Sequence, residues 1–203
     1  MKRSQSNHTS ILIIFASLGI VLSCATTRMP IYQSEVFDPN EVNKIYVLPV
    51  VDLRFDRSTE LGERNDWVHK IIEKNLVSKD YNTDLLIDRS IVTDLIEEDL
   101  LEPDADRMHN LVNIEEARWL FIPYLLDSRS KMTFGSTGNA EVGAMMYDLV
   151  ADTLIWRDKA IGKEGQGGLI GMALKGTMER SAIEKATKEL MKSFPGKQSS
   201  GYN

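Results

Sequence analysis

Lys44-Ile-Tyr-Val-Leu-Pro-Val-Val51 is a nearly continuous apolar run, rich in β-branched residues and bounded by polar sequence. A half-exposed strand alternates apolar and polar side chains. A run that is apolar at every position is the mark of a strand buried on both faces, as in a parallel sheet. Pro49 has no N–H to give to a ladder, so pairing must loosen near the end of this strand. Trp119-Leu-Phe-Ile-Pro-Tyr-Leu-Leu126 repeats the pattern, again with a proline inside it. Between the two runs a polar loop, Asp52 to Gly62, leads to Trp67, Val68, Ile71, Ile72 and Leu76 at helical spacing. That spacing predicts a helix from Glu63 to Val77, with Trp67, Ile71 and Ile72 packed on the sheet that carries Val47 and Phe121. Asp84 to Asp88 reads as a short strand, and Ser90 caps a helix from Ile91 to Leu101. Asp104 to Val112 supplies a further helix.

Downstream, Ser128 to Asn139 reads as a loop, and Ala140–Val150 with Thr153–Ile161 as an antiparallel hairpin turning at Ala151-Asp152. The last helix, Ala173 to Phe194, places Met178, Ala182, Ala186, Leu190 and Phe194 at i+4 steps. The element order is strand, helix, strand, helix, strand, strand, strand, helix. Right-handed crossovers in the first half and a meander in the second predict a mixed α/β fold: one mixed sheet with helices packed on it. The chain has 203 residues, 42% of them hydrophobic, enough for one core, which is expected between residues 43 and 194. Pro195 to Asn203 is polar and rich in breakers, the composition of a disordered tail.

The first 23 residues read as an address. Lys2 and Arg3 precede an uncharged apolar run of twelve, Ile11 to Leu22. As a helix it spans about 18 Å, short of the roughly 30 Å hydrocarbon core but suited to a signal peptide. It ends in Val21-Leu22-Ser23-Cys24, and Cys24 is the only cysteine. This resembles the lipobox of bacterial lipoproteins. The resemblance implies a diacylglyceryl group on the Cys24 thiol, cleavage before Cys24 and acylation of the new amino terminus. Ala25 in the next position implies, by the sorting pattern of enteric lipoproteins, an outer-membrane destination facing the periplasm. Residues 24–42 then read as a lipidated N-terminus and tether. Cleavage removes Lys2 and Arg3, so 24 basic side chains become 22 against 30 acidic ones, and the net charge moves from −6 to −8. No stretch is basic enough to neutralise a phosphate backbone, which argues against nucleic acid as a partner.

Several segments resemble one group of envelope lipoproteins. Ile45-Tyr-Val-Leu-Pro-Val50 is similar to its opening strand. Leu86-Ile-Asp-Arg-Ser90 resembles its strand ending in Asp-Arg that runs into a helix. Glu116-Ala-Arg-Trp-Leu-Phe-Ile122 resembles the step into its next strand, and Ala144-Met-Met-Tyr-Asp-Leu149 through Leu154-Ile-Trp-Arg157 its hairpin. The group is built like the N-terminal domain of TolB and includes the curli-secretion lipoprotein CsgG, the activator LpoB and auxiliary lipoproteins of transporters. The resemblance covers residues 43–194. This chain departs from it at Val150-Ala-Asp-Thr153, where the group's turn usually carries a glycine. It also lacks room for the additional long amphipathic strands of a channel-forming member.

Candidate chemistry is sparse. His8 lies in the signal peptide, His69 beside the apolar face of the first long helix and His109 beyond the acidic stretch Glu97 to Asp106. The histidines read as partly exposed and the acidic stretch as a solvated helix end, because zinc-ligand and EF-hand spacings are missing. No catalytic residue, metal ligand or cofactor is assigned. Gly162-Lys-Glu-Gly-Gln-Gly-Gly-Leu-Ile-Gly171 matches neither a P-loop nor a dinucleotide fingerprint. It is a connector, a protein interface or an anion site. As an interface, Gly167, Gly168, Leu169, Ile170 and Met172 are its protein-binding residues, since glycines admit close backbone approach beside apolar side chains. The expected function is a non-enzymatic adaptor or accessory subunit for an envelope protein complex, anchored in the bilayer through acylated Cys24. The alternatives are a homo-oligomeric secretion subunit related to CsgG and an envelope hydrolase, the latter requiring a clefted carboxylate or Ser/His pair. Cys24→Ala is expected to leave an uncleaved precursor or a protein released to soluble fractions. Membrane retention without labelled palmitate on Cys24 in the native protein contradicts the anchor.

Overall fold

The computed structural model describes residues 27–55, 61–112, 114, 116–132, 135–167 and 175–197. Its elements are β1 (Thr27–Gln33), β2 (Lys44–Val47), β3 (Val51–Asp52), α1 (Gly62–Val77), β4 (Asn82–Leu85), α2 (Glu97–Leu101), α3 (Ala105–Leu111), β5 (Trp119–Met132), β6 (Gly135–Asp148), β7 (Thr153–Gly167) and α4 (Lys175–Ser193). Short 3-10 turns fall at Pro39–Glu41 and Arg89–Val92. One sheet runs β1-β7-β6-β5-β2-β4, with β3 continuing beside β5. The pairs β2–β4, β2–β5 and β3–β5 are parallel, and the others are antiparallel. This is the mixed α/β sheet with packed helices that the element order implies.

The two faces carry separate cores. On one, α1 and α4 cover Ile45, Val47, Phe121, Met146 and Trp156 with Val68, Ile72, Leu76, Ala182, Ile183 and Leu190. Phe194 closes it, with its ring edge-on to Trp156 at 5.0 Å and to Phe121 at 5.5 Å. On the other, the Arg89–Val92 turn, α2 and α3 cover Tyr46, Leu48, Leu120, Ile122 and Tyr147 with Val92, Leu100 and Met108. Helix α4 sits unusually close to the sheet. A Cβ on Gly162 meets the Ala182 carbonyl oxygen at 2.0 Å, and one on Gly138 meets the Met178 carbonyl oxygen at 2.1 Å.

The structure departs from the sequence reading in several places. Within the expected tether, residues 27–33 form β1, which pairs antiparallel with β7. Its Pro30 sits where a register shift on an edge strand tolerates a missing donor. The expected loop Ser128–Asn139 contains the ends of β5 and β6, and residues 162–167 extend β7. These ends lack apolar alternation because their inward positions, among them Ser128, Ser130, Gly138 and Gly162, are kept small beneath α4. The expected helix Ile91–Leu101 divides into the 3-10 turn and α2. Asp88 accepts from the Ser90 amide to start the first, and Asp99 accepts from the Ile96 amide to start the second. On α1 the fully buried positions are Val68, Ile72 and Leu76, while Trp67 and Ile71 are only partly covered. Ile72→Ala is therefore expected to cost about 2–5 kcal/mol in urea unfolding, with Ile71→Ala costing a fraction of that. Gly162→Ala, which pushes against helix backbone, should cost about 1–3 kcal/mol.

Candidate functional site

The break that Pro49 imposes is repaired by α1. Strand β2 stops at Val47 and β3 resumes at Val51. In the gap the Leu48 carbonyl accepts a 2.8 Å hydrogen bond from His69 Nε2, and the Val50 N–H donates to Asn65 Oδ1 at 3.0 Å. A carbonyl only accepts, so the imidazole proton is on Nε2. His69 and Asn65 are both buried. Burial, outweighing the hydrogen bond to Leu48, lowers the His69 pKa and keeps the ring neutral. The sequence reading of His69 as partly exposed is thereby corrected: on a helix packed over a strand break, a polar ring finds a partner in the main chain.

A charged network lies at the carboxyl ends of the parallel strands, where β3, the first turns of α1 and α4 and the far half of β5 meet. Arg54, buried to 3% exposure, clasps Asp52 through Nε (2.7 Å) and Nη2 (2.8 Å). Across from it Glu179 of α4 accepts from Arg64 Nε of α1 at 2.7 Å and from Ser128 Oγ of β5 at 2.5 Å. Burial pushes the Glu179 carboxyl up. Its hydrogen bonds to Arg64 and Ser128, with the charges of Arg64 and Arg54, outweigh that and hold it below its ordinary value. Next to the network a hollow of about 200 Å³ opens between β3 and the Arg89–Val92 turn, lined by Val50, Asp52, Leu61, Arg89 and Thr93 among others. Arg89 reaches across to donate to the Gly62 carbonyl at 3.0 Å.

A serine touching a carboxylate has the outline of a nucleophile with its base. A general base works best with a pKa near the ambient pH. Glu179 is shifted the other way and is ion-paired, so the contact serves as a clamp among α1, α4 and β5. Sequence reasoning missed this network. The available signal was Glu179 itself, a carboxylate next to Met178 at the start of an apolar stripe.

The residues singled out from sequence are distributed differently. Cys24, Gly168, Leu169, Ile170 and Met172 lie outside the described residues. Gly167 is the last residue of β7 and pairs with Gly135. His109 Nε2 and Asp152 Oδ1 are 2.8 Å apart on the surface. The acidic stretch is occupied with helix ends: Asp99 pairs with Arg107 at 2.9 Å, and Asp104 accepts from the Arg107 amide at 3.0 Å. Asp148 accepts from the Val150 and Ala151 amides, which lets the β6–β7 turn close without a glycine.

No known family's sequence model and no curated protein matches the chain. Among solved structures it is similar to the PelC dodecamer from Paraburkholderia phytofirmans, at 12% identity and a TM-score of 0.48, covering 82% of this chain and 98% of that one. Lipoprotein GNA1162 from Neisseria meningitidis matches at 14% identity and a TM-score of 0.43, covering 66% of this chain and 94% of the other. The hypothetical protein CT253 from Chlamydia trachomatis matches at 14% and 0.47, covering 75% and 95%. These are loose likenesses of outline.

Acid is expected to weaken the fold in two steps. Below about pH 6.5 the unfolded chain takes a proton on His69 that the folded chain refuses, so stability falls as the pH drops from there. Glu179 contributes fully above about pH 4.3, and that contribution is lost as the pH falls through its lowered folded value. Urea midpoints measured from pH 7.5 to 5 should decline, and His69→Gln should flatten that decline. An unchanged slope in the variant contradicts the assignment.

Proposed function

We propose that the chain is a bacterial envelope lipoprotein, acylated on Cys24 and facing the periplasm, that acts as a non-enzymatic adaptor for another envelope protein. The observation that carries the reading is the twelve-residue apolar run ending at the only cysteine, three residues before the first strand of the sheet. Ala25 favours the outer membrane. Action by contact is supported by the Ser128–Glu179 pair, whose carboxylate is neutralised by Arg64 and serves as a clamp. An adaptor is preferred over a channel-forming secretion subunit because neither set of alternating positions in the long ends of β5, β6 and β7 is an apolar band for lipid: Arg129, Lys131, Asn139 and Lys163 lie on one face, and Ser128, Ser130, Gly138 and Glu164 on the other.

The docking edge is assigned to Gly167, the last residue of β7, and to Gly168, Leu169, Ile170 and Met172, which follow it in sequence before α4. Apolar side chains there contribute about 25 cal/mol per Å² once a partner covers them. Leu169→Asp combined with Ile170→Asp should abolish crosslinking to the partner in cells, with anchoring and circular dichroism unchanged. A folded double variant that keeps every crosslink removes this edge from consideration. Turnover of peptidoglycan or an ester by the purified protein contradicts the non-enzymatic reading itself.

A further inference from the structure

Among the described residues, the Arg89–Val92 turn, α2 and α3 cover only part of the second face of the sheet. Past Tyr124, β5, β6 and β7 run on without a helix over this side among the described residues, and register aligns their outward side chains there. The carboxylates on this bare face are engaged. Asp127 takes Arg129 at 2.6 Å and Asn139 at 3.2 Å, and Glu141 takes Lys159 at 2.8 Å. Lys131 and Lys163 are exposed, with no carboxylate in ion-pair distance among the described residues. Arg129 keeps 62% of its side chain exposed although paired. Arg129, Lys131, Thr137 and Asn139 rim a shallow hollow of about 210 Å³. A chain with a formal charge of −6 therefore presents an excess of cations on one face of three adjacent strands.

The place where the N-terminal chain leaves the fold decides what meets this face. Thr27 pairs with Ile161, which lies between Lys159 and Lys163 on β7. Cys24 is three residues before Thr27, so its Cα lies within about 11 Å of the Thr27 Cα. Acyl chains inserted from so near a point hold this corner of the sheet at the headgroups. A negative membrane surface attracts Lys and Arg only within about a Debye length, roughly 8–10 Å in ordinary salt, so short a leash keeps them in range.

We propose that the bare face of β5–β7 rests on the bilayer that holds Cys24, with Arg129, Lys131 and Lys163 against anionic phosphate headgroups. The proposal rests on the lipoprotein reading and adds to it a fixed orientation of the domain. It is tested with the full acylated protein in vesicles of phosphatidylcholine mixed with phosphatidylglycerol. Acylation blocks the only native thiol, so Thr137→Cys on this face and Val150→Cys at the opposite end of β6, about 40 Å away, each take a single fluorescent label. Spin-labelled headgroups should quench the Thr137 site several-fold more than the Val150 site. Phosphatidylcholine alone, high salt, or Lys131→Glu with Lys163→Glu should remove most of that difference while circular dichroism is unchanged. Equal quenching at the two sites, or a bias indifferent to lipid charge, overturns the proposal with the anchor intact. A mass spectrum without a diacylglyceryl group on Cys24 overturns the lipoprotein reading instead, and the orientation with it.

Discussion

Helix α4 lies against β6 and β7 with its own backbone: the Ala182 and Met178 carbonyls fill the space that Cβ atoms at Gly162 and Gly138 would take. Contact this close leaves no thickness for side chains, so the sheet residues at the points of closest approach, Gly138 and Gly162, have none, while larger ones such as Met146 and Trp156 meet the helical layer elsewhere. It sets the height at which Phe194 meets Trp156 and Phe121, and it brings Glu179 down to Arg64 and Ser128. It also makes the sheet asymmetric. One side is packed under two long helices, while among the described residues the other carries only short elements, over β2, β4 and the near half of β5–β7.

The polar groups inside the molecule answer local problems of the main chain. A proline in a central strand frees one carbonyl and one amide, and α1 returns a donor and an acceptor to them from His69 and Asn65. Buried polar groups without partners are costly, about 1–3 kcal/mol each. Among the described residues, the side-chain atoms Trp119 Nε1, Ser136 Oγ and Arg157 Nε are buried without a direct partner. They mark the places where packing of the sheet took precedence over hydrogen bonding. Arg157 is not idle, since its Nη1 donates to the carbonyls of Leu100 and Leu101 and ties β7 to α2.

The mixed sheet with its packed helices was legible because β2, β5, β6 and α4 carry unbroken or periodic apolar runs, which burial on both faces or along one stripe requires. The extensions of β5–β7 were not, because small inward residues and charged outward ones look the same as a loop when read along the chain. Nor was β1: an edge strand paired on one side needs little apolar content, and Thr27–Gln33 shows almost none of the alternation expected of a strand. The Arg64–Glu179–Ser128 contacts join residues up to 115 positions apart, and nothing local announces such a meeting. For the proposed lipid attachment the situation is reversed: the proposal for Cys24 comes from the chemistry of its neighbours in sequence and takes nothing from the fold.

Placing an edge strand immediately after that cysteine has a mechanical consequence. With β1 docked, the fold is held within about 11 Å of Cys24. If β1 alone peels from β7, the next points of attachment are the Ser34 amide on the Ile155 carbonyl and Phe37 on Trp119. Ten residues then separate Cys24 from the body, and the reach grows to about 35 Å. On the proposed anchoring through Cys24, the same seven residues act as a ladder strand or as slack, and the strength of one antiparallel pairing sets how far from the membrane the body can stand.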